Sequence, residues 1–150
     1  MESPREAEGR VAYGVAAHMG MRKKDEDRTS SGRCTVGGER FLYVGLFDGH
    51  GGKGAADLCK RELHKRVEAL GNEALARGRC AGPSEAVVAG LVAACWELDD
   101  RLGTKAVDSG TTATCLFIRE GADAAGDAVL PKNSRATFSS NEQCNGRTFR

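Results

Sequence analysis

Asp48, Gly49, His50, Gly51 and Gly52 follow directly on an apolar run at residues 41–47, FLYVGLF. A carboxylate at the end of a strand stands at a sheet edge, where ligands collect. Glycines on either side let the backbone come close to a metal ion or a phosphate and leave its carbonyls open as hard oxygen donors. Histidine changes charge near neutral pH, so His50 beside this carboxylate is placed to donate a proton. A glycine-rich turn with a capping aspartate would account for Asp48 and one or two of the glycines. It leaves His50 and the full set of three unexplained. A second group is Gly20-Met21-Arg22-Lys23-Lys24-Asp25-Glu26-Asp27. Taken alone it reads as a solvated charged loop. Its three acids could also hold a divalent cation, and the planar fork of Arg22 pairs two phosphate oxygens. A third group, Asp108-Ser109-Gly110-Thr111-Thr112-Ala113, is a turn leading into an apolar strand.

The elements that must hold these residues can be read from periodicity. Val11, Tyr13, Val15 and Ala17 alternate with smaller or polar neighbours, which predicts a strand over residues 11–17. Gly37-Gly38 marks a turn. Residues 41–47 predict a strand buried on both faces. After Gly54 a helical stripe runs through Ala55, Ala56, Cys59, Leu63, Val67 and Leu70, with Gly71 expected as its stop. Residues 76–82 form a polar connector. A second helix is expected with Ser84 as N-cap, the stripe Val87, Val88, Leu91, Val92, Cys95, Leu98 and Leu102, and Gly103 as the stop. Residues 111–118, TTATCLFI, predict a core strand. Residues 120–150 hold only four large apolar residues, Val129, Leu130, Phe138 and Phe149, with no shared period, and read as an irregular or disordered tail. The fold class is α+β, an antiparallel sheet with two packed amphipathic helices. Residues 1–10 form a polar tail and 11–119 the domain.

Composition narrows the function. The 150 residues carry 22 Lys and Arg against 21 Asp and Glu, a net charge of +1. That balance gives no electrostatic case for nucleic acid or an anionic membrane as a partner. No apolar run approaches the roughly 20 residues of a membrane span. Residues 1–10 lack the apolar core of a secretory signal. The six cysteines lie at least 15 positions apart, so no CxxC zinc or redox motif exists. Buried free thiols in a reducing compartment are expected, which places the chain inside the cell, in cytoplasm or nucleus. A nucleotide-binding reading of the glycine-rich turn meets neither GxxxxGK[ST] nor GxGxxG.

Taken together, the three groups resemble the metal-dependent 2C-type serine/threonine protein phosphatases. YGVAAHMGMRKKDED is similar to the opening strand of that family with its Arg and Glu-Asp pair. FLYVGLFDGHGG is similar to its signature, here too followed by an amphipathic helix. DSGTTATCLFI is similar to its Ser-Gly-(Ser/Thr)-Thr-Ala strand. The three occur in the family's order, over residues 11–118.

The resemblance implies hydrolysis of phosphoserine and phosphothreonine in a phosphoprotein substrate. It implies two Mn²⁺ or Mg²⁺ ions bridged by Asp48, with the Gly49 carbonyl on one ion and Asp27 and Glu26 acting mainly through bound waters. Arg22 would bind the substrate phosphate and His50 would protonate the leaving oxygen. It leaves the oligomeric state open. The family domain is longer, a two-sheet sandwich flanked by helices, so this chain is expected to be truncated after the N-terminal half, as a partial β-sandwich. The family's Gly-Asp-Ser-Arg turn finds only Gly126-Asp127-Ala128-Val129-Leu130, and its later aspartate ligands have no counterpart. Asp48, Asp27 and Glu26 bring at most three negative charges to two divalent ions. Weak metal binding and impaired turnover follow as expectations. The alternative is a catalytically inactive phosphatase-like binding module or fragment.

Overall fold

Gly37 and Gly38 both take positive φ, 60° and 79°. Two such residues in sequence close a tight hairpin whose twist matches its strands. Strand β1 (Arg28–Val36) therefore pairs antiparallel with β2 (Glu39–Phe47), from Val36 opposite Glu39 to Arg28 opposite Phe47. In this computed structural model residues 13–104 and 108–121 are described, and 135–138 for their backbone alone.

β1 is a strand that periodicity did not predict. Its sequence RTSSGRCTV buries only Cys34 and Val36, and pairing with the apolar β2 supplies what its own pattern lacks. The strand expected over 11–17 is not found. Residues 13–19 are irregular, and Tyr13 and Val15 are about half exposed. Alternation alone cannot make a strand without a partner to accept its hydrogen bonds. Val11 lies outside the described residues.

Strand β3 (Gly49–His50) prolongs β2 in the same register. Leu46 faces Thr114 and Gly49 faces Thr111 on β4 (Gly110–Glu120). On the other edge of β4, β5 (Arg135–Phe138) pairs antiparallel, with Thr111 opposite Phe138. A short strand thus lies inside the stretch read as irregular. The rest of that reading, 122–134 and 139–150, lies outside the described residues.

Helices α1 (Gly54–Ala76) and α2 (Pro83–Thr104) pack on one face of this sheet. Phe41, Tyr43, Phe47 and Phe117 from the strands meet Ala55, Cys59, Leu63 and Val67 of α1 and Val87, Ala94 and Leu98 of α2. The α+β class with two packed helices is as expected.

The helix limits differ from the expected ones. Gly71 does not stop α1; it lies buried within it, where α2 comes close. The terminator is Gly78, at φ 65°. Its N–H donates to the Leu75 carbonyl at 2.9 Å, and that of Arg79 to the Ala74 carbonyl at 2.9 Å, the Schellman pattern. α2 begins at Pro83 rather than after Ser84. Proline suits the first helical position because its missing N–H has no partner there anyway. Gly103 belongs to the last turn of α2.

β2 is not buried on both faces along its length. Toward the helices Phe41, Tyr43 and Phe47 are enclosed, whereas on the opposite face Leu42 is buried, Val44 half-buried and Leu46 exposed. Leu116 of β4 is exposed too. No described helix is long and apolar enough to cross a membrane. Cys34 and Cys59 are buried, Cys80, Cys95 and Cys115 half-buried, and all five are free thiols. Cys144 lies outside the described residues.

Candidate active site

Three segments far apart in sequence meet at the N-terminal end of α1. Asp48 sits between β2 and β3, in line with both, and the Thr112 N–H donates to its carbonyl at 2.9 Å. The Thr111 hydroxyl lies 3.0 Å from the same carbonyl. Asp48 is thereby fixed by its backbone while its side chain stays exposed.

Gly49 is buried, and the Glu26 carbonyl occupies the place a Cβ would need, with Ala56 Cβ at 3.3 Å. Any side chain at 49 would push the acidic loop away. Gly51, at φ 69°, lies against Asp108, whose carbonyl would stand 2.7 Å from an added Cβ. His50 lies over Gly110, where a Cβ would collide with the imidazole. The glycines that sequence reading took for backbone approach to a ligand thus also serve the approach of the three segments to one another.

Ser109 Oγ accepts a hydrogen bond from the Ala55 N–H at 3.0 Å. Lys53, at the N-cap position, makes no side-chain cap bond. The cap of α1 therefore comes from the segment before β4, 54 residues away.

Arg28 ties the acidic loop down. Its Nε donates to Asp57 Oδ1 at 2.6 Å, and its Nη1 to the carbonyls of Asp27 at 2.6 Å and Asp25 at 3.2 Å. Sequence reading missed Arg28, Asp57 and the role of Ser109. Arg28 closes a charge run and Asp57 lies in the first turn of a helix, but nothing in the chain pairs them before folding.

The predicted site residues take different places. Asp48, Gly49 and His50 are together at the turn, with Glu26 against Gly49 through its carbonyl. Glu26 is half-buried and Asp27 exposed. Arg22 is exposed, held among the described residues only by a turn bond from its N–H to the Met19 carbonyl at 3.3 Å. The structure does not fix its guanidinium on the turn.

Asp48, Glu26 and Asp27 make no side-chain ion pair among the described residues. These carboxylates and the Gly49 carbonyl fit a divalent ion in kind, since Mg²⁺ and Mn²⁺ take hard oxygen donors. They fall short in number. Among the described residues no three His, Cys, Asp or Glu side chains are grouped to hold an ion. The Ser-Arg pair missed at residues 126–130 does occur later, as Ser134-Arg135, and Arg135 opens β5 opposite Thr114.

The chain is similar to several curated phosphatases. It is 33% identical over 113 residues to Probable protein phosphatase 2C 14 of Arabidopsis thaliana, covering 75% of this chain and 24% of that protein. It is 40% identical over 60 residues to Probable protein phosphatase 2C 55 of Oryza sativa subsp. japonica, covering 40% of this chain and 16% of that protein. With Protein phosphatase 1K, mitochondrial, of Xenopus laevis it shares 36% identity over 55 residues, 37% of this chain and 14% of that protein. No family model matches the chain. The matches span 14% to 24% of the length of these relatives. Similarity to several such proteins over partial stretches, together with a DGHGG turn built into a strand-to-helix junction, supports this chain as a member of the 2C-type protein phosphatase family.

Proposed function

We propose that the chain serves hydrolysis of phosphoserine and phosphothreonine in proteins. The observation that carries this reading is the meeting of the acidic loop, the Asp48–Gly52 turn and the Asp108–Thr112 segment at one end of the sheet. Asp48 and the Gly49 carbonyl would hold Mn²⁺ or Mg²⁺, with Glu26 and Asp27 reaching it through bound water. Such an ion supplies hydroxide from bound water near neutral pH. Arg22, exposed and without an ion pair among the described residues, would close its fork on the substrate phosphate. His50, seated over Gly110 and open to solvent, would pass a proton to the departing serine or threonine oxygen.

The short donor set sets the expected level. Turnover by this chain alone should be slow and its divalent affinity weak. The test is Mn²⁺-dependent phosphate release from a phosphothreonine peptide, with Asp48→Ala as control. Release that needs Mn²⁺ and vanishes in the variant supports hydrolysis. Release no greater than that of the variant refutes it. The second reading is then a phosphatase-like binding module.

A further inference from the structure

We infer that Arg28 and Asp57 are a positioning pair that sets the divalent affinity of the site; this rests on the metal-dependent reading above. Arg28 donates to the carbonyls on either side of Glu26, those of Asp25 and Asp27. It therefore fixes the backbone that carries both Glu26 and Asp27. Its Nε meets Asp57 in the first turn of α1, the turn whose Ala55 N–H is capped by Ser109. One guanidinium thus joins the acidic loop to the helix that follows the Asp48–Gly52 turn.

Apart from Tyr13, whose hydroxyl donates to Ser31 Oγ at 2.7 Å, the rest of the loop has little among the described residues to hold it. Residues 13–27 belong to no helix or strand. Within 20–27 the other bonds to described residues are short-range: Gly20 N–H to His18 Nδ1, Arg22 N–H to the Met19 carbonyl, and Asp27 N–H to Asp25 Oδ1 at 3.2 Å. The seat of the Glu26 carbonyl on Gly49 holds only while the loop stays in place. The Arg28–Asp57 pair is mostly enclosed, with side-chain exposures of 18% and 31%. An enclosed pair keeps its geometry better than one in water. A planar fork is needed because three oxygens are held in different directions, which a lysine cannot match.

Partners that orient a metal's ligands without touching the metal typically change affinity about 10- to 100-fold. Arg28→Ala should weaken Mn²⁺ binding about tenfold by that measure, read from the paramagnetic signal of free Mn²⁺. Arg28→Lys, which retains the charge, should recover part of the loss. Asp57→Asn should fall between wild type and Arg28→Ala, and it carries the test should Arg28→Ala fail to fold. Amide hydrogen exchange, which needs no metal, should quicken over residues 22–27 in Arg28→Ala and stay unchanged at Leu63 and Val67. Wild-type Mn²⁺ affinity and wild-type exchange over 22–27 in both variants would overturn the inference. A wild-type chain with no saturable Mn²⁺ binding would instead overturn the metal-dependent function, and the exchange measurement would still decide whether the pair positions the loop.

Discussion

Gly90 stands where α2 packs against the backbone of α1 at Val67 and Gly71, and replacing it with alanine sets two opposed effects against each other. Alanine is the better helix former by about 1 kcal/mol. Its Cβ, however, would sit 2.6 Å from the Val67 carbonyl oxygen, 2.8 Å from Gly71 N and 3.1 Å from Gly71 Cα. Comfortable contacts of this kind are roughly 3.5–4 Å. All three atoms are backbone of a packed helix, so no side-chain end can swing aside and α1 must shift as a whole. Overpacking a filled contact costs about 1–3 kcal/mol, and the upper part of that range applies here. Subtracting the propensity gain leaves a net loss of about 2 kcal/mol. At about 4 °C per kcal/mol, the melting midpoint should fall by about 8 °C. Circular dichroism at 222 nm through a thermal scan measures it. Gly103→Ala is the matched control: it lies in the same helix with nothing near its added Cβ, and should hold or raise the midpoint. A Gly90→Ala chain that melts at or above wild type would refute the close-contact argument.

Ser109→Ala removes the acceptor that caps α1, and should cost about 1 kcal/mol in urea denaturation. His64 is held below the usual histidine range, first by burial and then by the charge of Lys65, with Glu68 opposing. Its Nδ1 has no partner among the described residues. The unfolded chain therefore takes this proton more readily than the folded one. The stability from the neutral ring is complete above about pH 6.5 and is lost as pH falls below it. His64→Gln should flatten the decline in melting midpoint between about pH 7 and pH 5, and an unchanged slope would exclude His64 as its source. Burial pushes the Cys34 thiol up to about 11 and that of Cys59 up to about 12. Thiolate, not thiol, is the reactive form. A disulfide reagent at pH 8 should leave both unlabelled in the folded chain and label all six cysteines in denaturant; rapid labelling of Cys59 in the folded chain would contradict its burial.

Two long helices were legible because each carries its own apolar period, and the strands at Phe41 and Thr111 because each is a short apolar or β-branched run. The Gly37-Gly38 turn was legible because only glycine enters positive φ freely. The misplaced limits share one cause. Gly71 reads locally as a stop, yet in the fold it is a contact point that admits α2, and Gly78 ends the helix instead. β1 was invisible because its polar sequence is made a strand by its neighbour. The alternation at Tyr13 and Val15 was misleading because no described strand pairs with it.

For the candidate site the division runs along the same line. Residue type and order along the chain by themselves singled out Asp48, His50, Arg22, Glu26 and Asp27 as the candidates for phosphoryl chemistry. These are properties of side chains and short spacings, which exist before folding. The tertiary structure alone decided that the Glu26 carbonyl rests on Gly49, that Ser109 caps α1 and that Arg28 ties the acidic loop to Asp57. Those contacts join residues 23, 54 and 29 positions apart. No local pattern encodes them, because each depends on how the sheet and the two helices bury their apolar faces together.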